Sequence, residues 1–139
     1  MGLYDVDFAA WSQSQADALR RKAWDKIDIV NVAEEIESLG RSDRREIGSR
    51  LEILLLHLLK WQYQPRQQRP SWRASIDEAR ERISQLLEES PSLKPYPAER
   101  LAKAYPQARR KALRETSLPN LPEACPWPIE QVLDLDFMP

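Results

Sequence analysis

The residue types best suited to proton transfer in this chain are three glutamates and a single histidine. Glu34, Glu35 and Glu37 precede His57, and both segments have helical periodicity. At about 100° per residue, Glu35 and Glu37 flank the apolar side of their helix, whereas Glu34 points away from it. His57 lies in the run ILLLHLL, so we expect it to be buried, where loss of hydration favours its neutral form. A carboxylate of Glu35 or Glu37 beside it would raise its basicity and create a general base.

The same residues have an ordinary structural interpretation, which we favour. A buried histidine commonly bonds to a carboxylate or a carbonyl only to satisfy its polar atoms. The sequence has no Gly-rich phosphate loop, H-E-x-x-H, paired C-x-x-C or G-x-S-x-G motif. One histidine and no Glu-x-x-His pair supply too few ligands for a metal. We therefore predict neither a metal site nor a cofactor, and an enzyme based on His57 remains only an alternative.

A second candidate site is the segment KWQYQPRQQRPSWR at residues 60–73. It contains four basic residues, three aromatic residues and no acidic residue. Cations interleaved with aromatic rings can bind phosphates and stack on bases, so nucleic-acid binding is another alternative. The residues that would make these contacts are Lys60, Arg66, Arg69, Trp72 and Arg73. The opposing interpretation, which we favour, places the tryptophans in the core and pairs the arginines with acidic residues.

Charge is distributed unevenly along the chain, although its net charge is only −1. Residues 1–40 contain four basic and eight acidic residues, whereas residues 41–82 contain ten basic and six acidic residues. The two segments therefore have net charges of −4 and +4. This asymmetry favours either the steering of an anionic ligand or the pairing of two subunits with opposite charges face to face.

Long helices are predicted for the first 64 residues, because all 11 prolines lie from residue 65 onward and only three glycines occur in the chain. Asp5 or Asp7 is expected to cap a first helix and Asp28 a second, which Gly40 is expected to end. The residues predicted to face the core are Phe8, Trp11, Ala16 and Leu19 in the first helix and Ile29, Val32, Ala33, Ile36 and Leu39 in the second.

The segment from Ile47 to Trp61, with Ser42 as its N-cap, is predicted to be the central helix of the fold. Apolar residues surround it on nearly every side, and these are Ile47, Leu51, Ile53, Leu54, Leu55, Leu56, Leu58, Leu59 and Trp61. A helix that is apolar all round is usually buried among other helices.

Two more helices and an arm complete the predicted fold. A fourth helix is expected to begin at Ser71 and to end at SPSLKPYP, and a fifth to run from about Ala98 to Glu115. Pro106 should kink the fifth helix or mark its start. The predicted fold is all-α: one domain, 1–139, with about five helices around the central apolar helix. A proline-punctuated C-terminal arm, 118–139, is expected to cross this bundle or a second subunit.

Five segments spread over nearly the whole chain carry a family resemblance. They are LYDVDFAAW (3–11), AEEIESLGRSDRREI (33–47), HLLKWQYQP (57–65), SWRASIDEARERISQLLEESPSL (71–93) and CPWPIEQVLDLDF (125–137). In this order they resemble the bacterial Domain of Unknown Function 29 family. The resemblance implies an all-helical protein of a family frequent in cyanobacteria. It implies no activity, cofactor or site residue, because that family has no accepted function.

Bulk properties limit the classes of function. A composition of 42% hydrophobic and 31% charged residues is typical of a folded globular protein. The N-terminal residues do not resemble a signal peptide, the longest apolar run is too short for a membrane span, and the single cysteine excludes an internal disulfide. We therefore expect a cytoplasmic protein without a membrane partner. Five tryptophans, the apolar arm and the opposed charges favour a non-enzymatic protein-interaction or regulatory module that associates as a homodimer.

Overall fold

The computed structural model describes residues 2–139, and these residues form six α-helices without any strand. The helices are α1 (Leu3–Val6), α2 (Phe8–Arg20), α3 (Ile29–Tyr63), α4 (Pro70–Glu89), α5 (Tyr96–Glu115) and α6 (Ile129–Leu133). The predicted all-α class is confirmed. Within the same residues, none of the helices combines the length and the hydrophobicity that a membrane crossing requires. The described chain divides into two compact units, residues 2–42 and residues 43–139.

Two aspartates set the helix starts in the N-terminal unit, residues 2–42. Asp7 precedes α2, and its side chain accepts a hydrogen bond from the backbone nitrogen of Ala10 at 3.0 Å. Asp28 precedes α3 and accepts from the backbone nitrogen of Asn31 at 3.4 Å and from Asn31 Nδ2 at 2.8 Å. The backbone N–H groups of a first helical turn have no partner within the helix, so these bonds stabilise both starts. Asp7 and Asp28 are therefore confirmed as N-caps.

The predicted helix end at Gly40 is wrong, and so is the N-cap predicted two residues later. α3 runs without interruption from Ile29 to Tyr63, and no described glycine has the positive φ that commonly ends a helix. A glycine inside a helix costs only about 1 kcal/mol relative to alanine. Arg41 helps to offset this cost, because its guanidinium lies 2.6 Å from Glu34 and 3.6 Å from Glu37. These ion pairs connect the turns before Gly40 to the residue after it.

Because α3 is continuous, replacing Gly40 should stabilise the protein. We expect Gly40→Ala to raise the free energy of unfolding by about 0.5–1 kcal/mol, since alanine has less backbone freedom to lose on folding. Gly48→Ala is the matched comparison, because a Cβ at that helical position would lie 3.0 Å from Nε of Arg100. We expect no gain there. Urea unfolding followed by far-ultraviolet circular dichroism measures both variants, and a destabilised Gly40→Ala protein would contradict the continuous helix.

The core of the C-terminal unit, residues 43–139, is built around the second half of α3. Its buried residues there are Leu51, Leu54, Leu55, Leu56, Leu58 and Leu59. The same apolar cluster contains Ile76, Ala79 and Ile83 of α4 and Ala104, Tyr105, Ala108 and Ala112 of α5. The predicted central helix is thereby confirmed. One side of it stays open, because Ile53 is 39% exposed and His57 is only half-buried.

The flanking helices begin earlier than predicted. α4 begins at Pro70, because proline is favoured in a first turn, where its missing N–H has no partner in any case. α5 begins at Tyr96 and continues through Pro106 to its end at Glu115. Pro106 is exposed, whereas its neighbours Tyr105 and Ala108 are buried. Packing on both sides of the proline therefore holds the helix together, and Pro106 does not mark its start.

The C-terminal arm, residues 118–139, packs on the core of the C-terminal unit. Its buried residues Leu121, Trp127 and Val132 belong to the same apolar cluster as α3. Polar side chains of α5 bind its backbone. Nε of Arg109 donates to the carbonyls of Leu121 and Pro122 at 3.1 Å each, and the Tyr105 hydroxyl donates to the Pro122 carbonyl at 2.6 Å. These bonds satisfy carbonyl groups that a proline-rich segment cannot pair within itself.

Tyr105 makes the stability of the C-terminal unit decrease as the pH becomes strongly alkaline. Burial raises the pKa of its hydroxyl to about 12, whereas an unfolded chain has a tyrosine pKa of about 10. The folded protein therefore keeps this proton to higher pH, so the stability contributed by Tyr105 is complete below about pH 10 and is lost as the pH rises towards 12. We expect the free energy of unfolding to fall over this interval, and to fall less steeply in Tyr105→Phe. Urea unfolding at several pH values tests this, and equal slopes in both proteins would contradict it.

Candidate functional site

An apolar groove lies between α2 and the first part of α3, and we call it the N-terminal groove. It has a volume of about 400 Å³, and its accessible surface is almost entirely apolar. It is lined by Trp11, Ser12, Gln15, Ala16, Leu19, Val32, Glu35, Ile36 and Leu39. All of these residues belong to the N-terminal unit. A concave apolar surface of this kind is typical of sites that bind a ligand or another protein.

Polar side chains of α2 hold the start of α3 beside it. Gln15 is buried, and its Nε2 donates to the carbonyl of Lys26 at 3.2 Å while its Oε1 accepts from the backbone nitrogen of Asp28 at 2.7 Å. Nε1 of Trp11 donates to Oδ2 of Asp28 at 3.2 Å. Hydrogen bonds, chiefly from the Asn31 side chain, lower the pKa of Asp28. Hydrogen bonds therefore join the two walls of the N-terminal groove.

An aromatic cluster contacts the groove residue Trp11. The ring of Tyr4 lies edge-on to those of Trp11 and Phe8, with centroids 4.7 and 5.9 Å away, an arrangement that aromatic pairs prefer. The Tyr4 hydroxyl donates a short hydrogen bond to Glu35, and this bond raises the pKa of Tyr4 to about 12. Glu35 therefore connects α1 to α3.

Large apolar side chains are exposed almost exclusively on the N-terminal unit. Eleven such residues are exposed among the described residues, and nine of them belong to residues 2–42. These nine are Leu3, Val6, Phe8, Leu19, Trp24, Ile29, Val30, Ile36 and Leu39, and their exposed fractions run from 43% to 79%. Exposure of single apolar residues is ordinary, but three of these residues, Leu19, Ile36 and Leu39, line the N-terminal groove. Exposed apolar residues that line a concave apolar surface mark an interaction surface.

The structure changes the interpretation of the predicted His57 site. The expected burial of His57 is wrong, because the residue shares the open side of α3 with Ile53 and is half-buried. Its Nδ1 lies 2.8 Å from the carbonyl of Ile53, one turn earlier in the same helix. Glu35 and Glu37 precede His57 by 22 and 20 positions on this one continuous helix, whereas helical neighbours are three or four positions apart. Glu35 pairs instead with Tyr4 and Glu37 with Arg41.

Possible metal ligands are not grouped together in the described part of the chain. Among residues 2–139, no group of three or more histidine, cysteine, aspartate or glutamate side chains is arranged to hold a metal ion. The side chains that contact Glu35 and Glu37 are the phenol of Tyr4 and the guanidinium of Arg41, rather than a histidine, a cysteine or a second carboxylate.

The basic segment 60–73 is partly neutralised by neighbours in the C-terminal unit. Nζ of Lys60 lies 2.6 Å from Glu115 and 5.6 Å from the ring centre of Trp72. Arg73 lies 3.3 Å from Asp77. Within residues 2–139, Arg66 and Arg69 are the two cations of this segment that have no ion pair. Two arginines without ion pairs give only weak support for nucleic-acid binding, because each phosphate that a protein neutralises needs its own cation.

A known protein family matches nearly the whole of the helical chain. The family model described as "Domain of unknown function DUF29" matches residues 3–138. The chain belongs to the DUF29 family. This confirms the resemblance found in the five sequence segments. No curated protein and no solved structure matches this DUF29 chain.

Sequence reasoning did not identify the groove of this DUF29 protein, although it named most of its lining. Phe8, Leu19, Ile36 and Leu39 were expected to face the core, and the structure exposes all four. Helical periodicity shows that apolar residues share a face, but it does not show whether any other element covers that face. The signal that distinguishes the groove is that residues 2–42 contain, besides α2 and the first part of α3, only one further α-helix, the four-residue α1.

Proposed function

We propose that this DUF29 protein is a protein-interaction module that associates with a second copy of itself through the N-terminal groove. The observation that carries the proposal is the concentration of nine exposed large apolar side chains on residues 2–42, three of which, Leu19, Ile36 and Leu39, line a groove of about 400 Å³. The C-terminal unit already has a sealed core. Its two exposed large apolar residues, Ile53 and Leu135, offer no comparable surface.

The apolar area of the N-terminal unit fits the requirement of a dimer. Full burial of a large apolar side chain contributes about 1.5–3 kcal/mol at about 25 cal/mol per Å², which corresponds to roughly 60–120 Å² each. Nine side chains exposed by 43–79% therefore present on the order of 500 Å². A standard interface buries about 800 Å² per partner, of which about 60% is apolar. The exposed apolar area of the whole unit is therefore comparable with the apolar part of one such interface, to which the groove residues Leu19, Ile36 and Leu39 contribute a part. A two-fold dimer buries the same surface on both copies.

Charge predicts how such a dimer responds to salt. The N-terminal unit contains eight acidic and five basic residues, so its net charge is −3. Two copies that meet through this unit bring like charges together, and added salt screens the repulsion. We therefore expect dimerisation to strengthen as salt is added.

Sedimentation equilibrium of the full chain over a range of concentrations tests the proposal. The expected result is a reversible monomer–dimer equilibrium that shifts towards the dimer at higher ionic strength. A monomer at every concentration would overturn the proposed self-association. The groove would then have to bind a different partner. A dimer that weakens with salt would also overturn the proposal, because it would indicate contact between the acidic unit of one copy and the basic unit of the other.

A further inference from the structure

A cavity lies in the C-terminal unit beside the ends of α3 and α5. It has a volume of about 300 Å³ and is lined by residues 63–67, Ser117 and Leu118. The first of these segments contains the last residue of α3 and a short 3₁₀ helix, Pro65–Gln67, whereas Ser117 and Leu118 follow the end of α5. Ligand pockets in proteins have volumes of about 300–1,000 Å³, so this cavity has room for a small ligand or a short piece of peptide.

Local contacts fix both walls of the cavity. Nε2 of Gln68 donates to the carbonyl of Trp61 at 3.0 Å, which ties the segment after α3 to the last turn of that helix. On the other wall, the backbone nitrogen of Leu118 donates to the Thr116 hydroxyl at 3.3 Å. Tyr63 and Leu118 also pack against the apolar core of the C-terminal unit. The site is therefore preformed, which lowers the entropic cost of binding.

The cavity contains one accessible positive charge. Of the described residues that line it, only Arg66 is charged. Arg66 is exposed and has no ion pair within residues 2–139, and the segment 60–73 contains no acidic residue. A guanidinium in this state is free to form a charge-assisted bond with a carboxylate from outside. One arginine balances a carboxylate but not a phosphate group, whose charge is about −1.5 to −2 at pH 7.

The uncharged surroundings of Arg66 favour a peptide over a simple anion. Three lining residues have neutral side chains that both donate and accept hydrogen bonds, and these are Gln64, Gln67 and Ser117. Peptide groups need both kinds of partner. The last carbonyls of α3 and α5 lack helical partners and carry partial negative charge, so they favour N–H donors over an anion without them. A peptide supplies N–H groups together with its carboxylate, whereas acetate supplies only the carboxylate.

We propose that this cavity binds a short peptide segment that carries one carboxylate. Arg66 pairs with the carboxylate, and the side chains of Gln64 and Gln67 hydrogen-bond to the peptide backbone. One apolar side chain of the peptide packs on the surface formed by Tyr63, Pro65 and Leu118. The cavity belongs to the C-terminal unit, so this peptide site is separate from the N-terminal groove.

A nuclear magnetic resonance titration of the ¹⁵N-labelled full chain at constant ionic strength tests the proposal. The probes are acetyl-Gly-Leu with a free carboxylate, the same dipeptide as its neutral amide, acetyl-Glu-Leu amide, acetate and inorganic phosphate. We expect saturable shifts of the Arg66 Nε–H and Leu118 amide signals with both acidic dipeptides, which should bind at least about tenfold more tightly than the neutral amide. The tighter of the two acidic dipeptides identifies whether the ligand offers a terminal or a side-chain carboxylate. Acetate, phosphate or the neutral amide binding as tightly as the acidic dipeptides, or no saturable shift with any probe, would overturn the proposal.

Arg66→Gln and Arg69→Gln form a matched pair of variants. Both arginines are exposed and lack an ion pair within the described residues, but only Arg66 lines the cavity. We expect Arg66→Gln to weaken the binding of the acidic dipeptides at least about tenfold and to leave the neutral amide unaffected, whereas Arg69→Gln changes these affinities less than about twofold. Equal losses in the two variants would show that the positive charge of the whole segment attracts the carboxylate, and this would contradict the proposal. Because neither arginine is buried or paired, both variants are expected to fold, and circular dichroism verifies this.

Discussion

Leu55→Ala is expected to lower the free energy of unfolding by about 3–4 kcal/mol, the largest effect of any single truncation considered for this protein. Leu55 is fully buried in the cluster formed by α3, α4, α5 and the arm. Truncation removes buried methyl groups and leaves a cavity that surrounding helices fill only in part. Urea unfolding followed by tryptophan fluorescence measures the change, because Trp127 belongs to the same cluster.

Ile53→Ala is the matched control, two positions away on the same helix. Ile53 is 39% exposed, so its truncation removes far less buried area and should cost about 1 kcal/mol. Similar losses for the two variants would show that the second half of α3 is not enclosed on the Leu55 side. The description of the C-terminal core would then have to be revised.

Ile36→Glu is expected to weaken self-association at least about 100-fold, which corresponds to about 2.7 kcal/mol. Ile36 lines the N-terminal groove and is 65% exposed, so a charge there costs little in a monomer. In the dimer the carboxylate would be buried in an apolar interface, and a two-fold interface contains the change twice. Dilution calorimetry of the variant and the unmodified protein measures the dissociation constants.

Ser14→Glu adds the same charge to the same unit outside the groove. Ser14 is exposed on α2 and does not line the groove, so we expect only the modest change that one more like charge produces. An effect as large as that of Ile36→Glu would mean that net charge, rather than the groove, controls association. Retained helical content in both variants, seen by circular dichroism, excludes unfolding as the cause.

Local chemistry made some parts of the fold predictable. The N-caps Asp7 and Asp28 depend on side-chain bonds to residues only three positions away, so their signal lies entirely in the neighbouring sequence. The central helix was predictable for a related reason. Its apolar residues occupy nearly every side, and a helix of that composition is stable only when others cover it.

Other features were predicted wrongly from a clear local pattern. Gly40 has the local properties of a helix end, but Arg41 joins the turns on both sides of it. His57 has apolar neighbours on both sides in the sequence, yet it lies on the same open side of the second half of α3 as Ile53. A run that is apolar all round cannot reveal which side stays open, because that depends on how the other helices pack.

The buried Arg80 of α4 and the N-terminal groove were the least predictable features. Arg80 lies four positions after Ile76 and three before Ile83, so it falls beside the buried face of α4, but a charged residue at that position usually extends to solvent. Its hydrogen-bond partners Gln131 and Val132 are more than 50 positions away. Leu19 and Ile36 have the pattern of core residues, and only the structure shows that their side chains are exposed.

The most direct test of the groove as a self-association surface is an isotope-filtered nuclear Overhauser experiment on a mixture of ¹³C-labelled and unlabelled chains. The account predicts intermolecular signals from the methyl groups of Ile36 and Leu39 of the labelled copy to apolar groove residues of the unlabelled copy. Intermolecular signals that arise exclusively from residues 43–139, or none under conditions where a dimer sediments, would contradict it.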